Sequence, residues 1–196
     1  MGKIFCIIGK SSTGKDTIYQ ELLKEKSMHL QRIVPYTTRP IRENEIDGET
    51  YHFVSIEEME QLQKQNKIIE CRAYHTVHGI WYYFTAKDHQ IEKEEQDYLM
   101  IGTLESYLKL KKYFGSEKIV PIYIELEDGE RLTRALHREK QQAHPKYEEM
   151  CRRFLADGQD FTEEKLQQAG ITKRFQNNCL EDCLKEICTY IAKMQK

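Results

Sequence analysis

The sequence predicts an α/β fold: a parallel sheet covered by helices on both faces, interrupted by a small, mainly β insertion. Three observations carry this. The apolar run Ile4-Phe5-Cys6-Ile7-Ile8 leads straight into a glycine-bounded loop, Gly9 to Thr17, and then into a helical pattern. From residue 86 onward, short apolar runs alternate with helix-length segments, the rhythm of parallel strands joined by helical crossovers. Between these regions, from Tyr36 to Ile46, apolar residues thin out and charges gather, which marks a change of architecture.

In chain order, residues 3–8 read as a buried strand and 15–25 as its helix, with Ile18, Leu22 and Leu23 inward. Residues 31–35 form the next strand. Asp47-Gly48 is a turn signal ahead of the strand-like Tyr51-His52-Phe53-Val54. Ser55, followed by Glu57 and Glu58, has the form of a helix N-cap with an acidic first turn, and that helix runs to about Asn66. Residues 68–70 make a short strand and 81–85 another. A polar helix is expected at 86–95, a strand at 98–102, and a helix at 104–114 stopped by Gly115. Residues 119–126 form a buried strand in which Pro121 predicts an irregularity or an edge. An arginine-rich helix covers 128–140. After the polar break 141–145 come a helix at 146–156, a short one at 162–168, a strand at 172–175 and a closing helix at 180–194.

Length and composition exclude several function classes. The 196 residues suit one sizeable domain. Hydrophobic residues at 39% and charged residues at 32% describe a globular chain rather than a disordered one. A net charge of −2 argues against broad nucleic-acid or membrane binding, so neither is expected as a partner. No apolar run approaches the length that spans a bilayer. The N-terminal run is a strand rather than a signal peptide, so a cytoplasmic location and free thiols are expected for the six cysteines. Cys179, Cys183 and Cys188 share a helix face with Leu184 and Ile187, which reads as core packing. His75 and His78 are close but have no companion ligands, so no metal is assigned to them.

The loop Gly9-Lys10-Ser11-Ser12-Thr13-Gly14-Lys15-Asp16-Thr17 matches GxxxxGK between a strand and a helix. Glycines let such a loop wrap tightly, so its N–H groups point at phosphate oxygens, and the helix behind it adds a partly positive end. Lys15 would reach the terminal phosphates as a point charge. Asp16 stands where a hydroxyl residue that touches Mg²⁺ usually follows the lysine, and Thr17 comes next. Phosphoryl transfer needs a second cationic grip for the other phosphate. Arg39 and Arg42 are the candidates, because arginine forks suit phosphate oxygens.

The stretch Thr37-Thr38-Arg39-Pro40-x-Arg42-x-x-Glu45-x-x-Gly48-x-x-Tyr51-x-Phe53-Val54 resembles the monophosphate-binding region of guanylate kinases. The later Gly79-x-x-Tyr82-Tyr83-Phe84-Thr85 is similar to that family too, with one extra residue and with Phe84 where the family has glycine. The resemblance runs nearly the full length of the chain and implies a three-layer P-loop kinase fold with a parallel sheet, a small mixed β insertion and a helical lid. The expected division is a core (1–35, 87–133, 157–196), a monophosphate-binding insertion (36–86) and a lid (134–156).

The resemblance also implies site residues. Arg39, Arg42, Tyr51 and Tyr83 would hold the phosphate of GMP, Glu70 and Thr85 would read the base, and Glu45 and Thr103 complete the GMP-binding set. For Glu70 the chemistry agrees: guanine offers two adjacent donors that a carboxylate accepts, while adenine lacks one of them and would leave the acid unpaired. The ATP side would comprise Gly9, Lys10, Ser11, Ser12, Thr13, Gly14, Lys15, Asp16 and Thr17, with Asn177 near the adenine. Arg134, Arg138, Arg152 and Arg153 resemble lid arginines; Lys15, Arg134, Arg138 and Arg153 form the expected catalytic set, and Arg152 equally suits a solvated face.

The match departs in the strand Tyr98 to Thr103. Ile101 and Thr103 stand where the family has an Asp-x-Asp pattern that supports the metal and binds the guanine amino group. Pro35 replaces a base-contacting serine. Asp16, with Thr17 beside it, is the expected Mg²⁺ support in compensation. The leading expectation is transfer of the γ-phosphoryl of ATP to GMP or dGMP with Mg²⁺. A non-catalytic guanylate-kinase-like binding module and a kinase for another nucleoside monophosphate are the alternatives.

Overall fold

The computed structural model describes residues 2–42, 45–76, 79–91 and 95–195. Elements are numbered in chain order: β1 (Ile4–Ile8), α1 (Lys15–Lys24), β2 (Gln31–Arg32), β3 (Tyr36–Thr37), β4 (His52–Phe53), α2 (Ile56–Lys64), β5 (Ile68–Thr76), β6 (Gly79–Ala86), β7 (Tyr98–Ile101), α3 (Leu104–Phe114), β8 (Ile119–Glu125), α4 (Asp128–Lys140), α5 (Tyr147–Asp160), α6 (Glu163–Gln168), β9 (Arg174–Gln176) and α7 (Leu180–Met194).

The first sheet has five parallel strands in the order β2-β7-β1-β8-β9. Strand β1 is central, and its side chains alternate between two cores, as the period of a strand requires. Ile4, Cys6 and Ile8 pack with Tyr98, Met100 and the α3 residues Leu104, Tyr107 and Leu110. Phe5 and Ile7 pack with Leu99, Ile122 and Ile124, under Ile18 and Leu22 of α1 and Ile187 and Ile191 of α7. Helices on both faces make three layers. Later strands add to β1 on opposite sides, so its carboxyl end is the switch point where α/β sheets bind ligands, and the glycine loop begins there.

The second sheet is mixed, in the order β4-β3-β6-β5. Strands β3 and β4 are parallel; β3–β6 and β5–β6 are antiparallel. It has its own core of Met59, Phe84 and Ala86. Helix α2 packs on it, opened by a capping box in which the Ser55 hydroxyl accepts from the Glu58 N–H and Glu58 accepts from the Ser55 N–H.

Several expected elements differ. Strand β5 continues six residues past Glu70, to Thr76, because a long hairpin pairs it with β6. The helix expected at 86–95 is a single turn at His89–Ile91. Asp88 is engaged by the Tyr36 hydroxyl at 2.5 Å and by the Gln90 N–H at 2.9 Å, which closes the chain into a turn. Residues 92–94 and His78 lie outside the described residues. Pro121 is not on an edge strand: β8 lies between β1 and β9. Strand β9 pairs only with Tyr123–Glu125, so Pro121 falls where β8 is bonded on one side alone. All six cysteines are free; Cys183 is buried and Cys188 half-buried on α7, while Cys179 is exposed at its N-cap. No described helix is long and apolar enough to cross a membrane.

Candidate active site

The loop after β1 needs its glycines. Gly14 has φ +89°, and a Cβ there would lie 2.4 Å from the Asn177 Nδ2. A Cβ on Gly9 would lie 2.4 Å from the Ile124 carbonyl oxygen. The loop is held from behind: the Asn177 amide donates to the Thr13 carbonyl at 2.7 Å, and Arg134 donates to the Asn177 carbonyl at 3.1 Å. Asn177, expected beside adenine, is 2% exposed and clamps the loop. Arg134 acts with it. Thr13 closes a turn by donating from Oγ1 to the Lys10 carbonyl at 2.9 Å.

One loop group awaits a partner and two have found internal ones. The Ser12 hydroxyl is buried with no hydrogen-bond partner, and φ +63° at Ser12 marks the tight wrap. The Lys15 ammonium donates to the Lys10 carbonyl at 2.7 Å, and the Ser11 N–H donates to the Asp157 carboxylate at 2.8 Å. Burial pushes the Lys15 pKa down to about 8, against the pull of the nearby Asp16 and Asp157 carboxylates. Lys10 turns elsewhere and pairs with Asp128 at 3.2 Å. Asp16 is exposed and lines the main cleft, whereas Thr17 is exposed and outside that lining.

The arginine that engages the loop most closely is Arg131, which the sequence motifs did not single out. It is 1% exposed. Its Nε donates to the Ser11 carbonyl at 3.0 Å, its Nη2 to Asp157 at 2.8 Å, and its Nη1 to Asp128. The guanidinium lies 4.9 Å over the Phe154 ring, tying α4 to α5. Arg153 lines the cleft and reaches the Ser11 hydroxyl at 3.5 Å. Arg138, expected at the site, is exposed, and its side chain has no polar partner among the described residues. It lies a helical turn beyond Arg134 on α4. Arg152 is exposed and paired with Glu149.

On the mixed sheet, Arg39 is 4% exposed. Its Nη1 and Nη2 donate to the two Glu45 carboxylate oxygens at 2.7 and 2.5 Å. Glu45 also accepts from the Arg42 N–H at 2.8 Å, so it holds the Arg39 guanidinium in place. Burial works against the Arg39 charge, and Glu45 with Tyr83 outweighs it, so its pKa stands above the ordinary arginine value. The guanidinium lies 5.2 Å over both Tyr51 and Phe53. Its Nε is buried and has no partner. A buried donor without a partner, beside Tyr51 and Tyr83 stacked edge-on at 5.5 Å, suits a phosphate oxygen. The Arg42 side chain is exposed.

The hairpin sorts its residues by parity. Glu70, Arg72 and Tyr74 alternate to one face of β5, opposite Thr85, Tyr83 and Trp81 of β6. Cys71 and Phe84 take the other face. Phe84 therefore fills the second sheet's core, stacked 5.2 Å from Tyr36, and does not enter the site. The Glu70 carboxylate, whose side chain is 0% exposed, is gripped bidentately by Arg72 at 3.0 and 3.2 Å and receives the Thr85 hydroxyl at 3.0 Å. Arg72 also donates to the Thr103 hydroxyl at 3.3 Å. Thr103 caps α3 in turn, accepting from the Ser106 N–H at 3.1 Å.

These parts meet in a cleft of about 970 Å³ lined by Lys15, Asp16, Arg153, Tyr51, Arg72 and Thr103, among others. Compared with protein families, residues 1–194 match Guanylate kinase. The chain belongs to the guanylate kinase family. The guanylate kinase of Porphyromonas gingivalis is 31% identical over 126 residues, 63% of this chain and 65% of that protein. That of Baumannia cicadellinicola subsp. Homalodisca coagulata is 28% identical over 170 residues, 82% and 78% of the two chains. That of Rhodopirellula baltica is 40% identical over 81 residues, 41% of this chain, and the match spans only 38% of that protein. The crystal structure of guanylate kinase from Anaplasma phagocytophilum superposes with a TM-score of 0.65 at 21% identity, covering 99% of this chain and 86% of that one; this is likeness of fold.

Within this guanylate kinase fold, the strand end where the resemblance expects two aspartates carries Ile101 and Thr103, and both line the cleft. Among the described residues no group of three His, Cys, Asp or Glu side chains could hold a metal alone. Mg²⁺ in nucleotide sites asks for less: one or two carboxylates, with phosphates and water completing the shell. Asp16, exposed in the cleft beside Lys15, fits that need.

Proposed function

We propose that this guanylate kinase family chain transfers the γ-phosphoryl of ATP to GMP or dGMP, giving ADP and the nucleoside diphosphate. The observation that carries the reading is a cleft that brings the phosphate loop together with residues of the 36–86 insertion. Lys15, the glycine loop and Arg153 line it. Tyr51 lines the same cleft, with the Arg39 guanidinium and its unpartnered buried Nε 5.2 Å over its ring and Tyr83 edge-on to it. In this reading residues 36–86 hold the acceptor, 134–156 act as a lid, and the rest is the core.

The nucleophile is a phosphate oxygen that is already anionic, so no general base is required. The chain's task is to place two like-charged groups in line and to offset the charge that builds between them. Lys15 exchanges its Lys10 carbonyl for phosphate oxygens, and the loop N–H groups turn from Asp157 to the phosphates. Arg153 approaches from α5. Arg39 holds the acceptor phosphate, kept in place by Glu45 below and Tyr51 above. Asp16 would hold Mg²⁺, which supplies charge neutralisation when bound. The substrates are free nucleotides, and we place the reaction in the cytoplasm with no nucleic acid or membrane partner.

A coupled assay of ADP release across GMP, dGMP, AMP, CMP and UMP tests this. Turnover with GMP that is lost in Lys15→Met supports it. No turnover with any acceptor at high enzyme and Mg²⁺ favours the non-catalytic binding module.

A further inference from the structure

Arg72 belongs to none of the motifs that predicted the site, yet it lies at the acceptor end of the cleft. Its side chain is 9% exposed, and Glu70 beneath it is sealed at 0%. Glu70 is therefore unlike an acid waiting for a base. Both of its oxygens are taken by Arg72, and one also receives Thr85. To accept from guanine, Glu70 would first have to lose a bidentate, desolvated ion pair, and Arg72 would be left buried without its counter-charge, a state that strongly disfavours the exchange.

The guanidinium has donors left over. Of its five N–H groups, three are engaged: Nε and Nη2 with Glu70, Nη1 with Thr103. One N–H remains on each of Nη1 and Nη2, and Arg72 lines the cleft. Burial works against the Arg72 charge, and Glu70 outweighs it, so the group stays cationic. Tyr51 and Tyr74, which line the same cleft, stand close enough to feel that charge. The acceptor end thus offers hydrogen-bond donors where a bare carboxylate would offer acceptors.

We propose that Arg72, rather than Glu70, reads the acceptor base: its remaining Nη1 and Nη2 donors form a fork for two adjacent acceptor atoms, as on the O6/N7 edge of guanine, and Glu70 anchors the fork. This rests on the acceptor being a nucleoside monophosphate. A bidentate arginine on that edge is a common guanine contact. Adenine presents an amino donor beside N7 and meets the fork donor to donor. The guanine 2-amino group, which a carboxylate would accept, plays no part in this contact. Hypoxanthine has the same O6/N7 edge without that amino group, so the site distinguishes guanine from adenine but not from hypoxanthine.

The test is calorimetric binding of GMP, IMP and AMP to the full chain, with steady-state turnover of each using ATP. GMP and IMP are expected within about threefold of each other, and AMP at least about tenfold weaker, the scale of one bidentate contact. Arg72→Lys keeps the charge and loses the fork, so it weakens GMP and IMP together by about tenfold. Arg72→Ala frees Glu70 and makes GMP bind better than IMP. The proposal is overturned if the native chain binds GMP more than about tenfold tighter than IMP, or if Arg72→Lys changes neither. Should binding follow the expected pattern while no acceptor is phosphorylated, the transfer reading fails and the role of Arg72 stands. Turnover of GMP with strong rejection of IMP has the reverse meaning: phosphoryl transfer stands and the role of Arg72 fails.

Discussion

The Asp157 carboxylate accepts the backbone N–H of Ser11 at 2.8 Å, at the loop position where a phosphate oxygen is expected. An anion of the chain's own thus occupies a donor that the nucleotide needs. Asp157 also holds Arg131. Asp157→Asn removes the competing charge and should tighten ATP binding several-fold. It also weakens a buried ion pair, so the melting temperature should fall by several degrees, about the effect of 1–2 kcal/mol. Calorimetry with ATP and a thermal melt on the same variant check both. Weaker ATP binding would show that Asp157 assists the phosphates.

Lys15 supplies a pH dependence. Burial holds its pKa near about 8 in the nucleotide-free chain, and triphosphate charge raises it on binding. Above that pH a neutral Lys15 must take up a proton to bind ATP, so affinity falls as pH rises through about 8. Calorimetry in buffers of different ionisation enthalpy should detect the uptake. Lys15→Met should abolish it together with turnover, while GMP binding stays within about twofold.

Arg39 and Glu45 act as a unit. Arg39→Ala removes the phosphate fork and leaves Glu45 without its partner. The acceptor KM should rise about tenfold to a hundredfold, the worth of one or two charge-assisted hydrogen bonds, with the ATP KM little changed. Glu45→Gln keeps Arg39 but loosens its aim, and should show a smaller rise in the same constant. A change in the ATP constant instead would contradict the assignment of Arg39 to the acceptor.

Alkaline stability should decline above pH 9. Burial raises Cys6 to about 12 and Cys183 to about 11, against 9.0 for a free thiol. Burial likewise raises Tyr19, Tyr107 and Tyr123 to about 12, against 10.0. The folded chain keeps these protons longer than the unfolded chain does. Their contribution is whole below pH 9 and is lost as pH climbs from 9 to 12. Lys15, a single group, works the other way between about 8 and 10.5. Urea midpoints from pH 7 to 11 should therefore fall, and Cys6→Ser should flatten part of the slope.

What the sequence disclosed was local. The loop could be read because strand, glycines and helix adjoin. Helices α3, α4 and α7 could be read because their periodicity lies within them. Arg39 was visible for the same reason, six residues from the Glu45 that holds it. Arg131 was not: its partners Ser11 and Asp157 lie 120 and 26 residues away, and α4 carries other arginines that look equivalent along the chain. Arg72 could have been found. It is two residues from Glu70, on the same face of any strand, but ending that strand at Glu70 hid the pair. Arg138, four residues after Arg134, shares its face along the chain, yet of the two only Arg134 bonds to the clamp on the loop.

Phe84 gives the mixed sheet a core of its own. Its ring is sealed among Tyr36, Met59 and Ala86, away from the parallel strands. One face of the hairpin holds the insertion together, and the other carries Glu70, Arg72 and Tyr83. Substitutions on the second face leave the packing of the first untouched. A lineage can therefore retune which base it accepts by changing a few alternate residues of one hairpin, while inheriting the phosphate chemistry of the larger sheet unaltered.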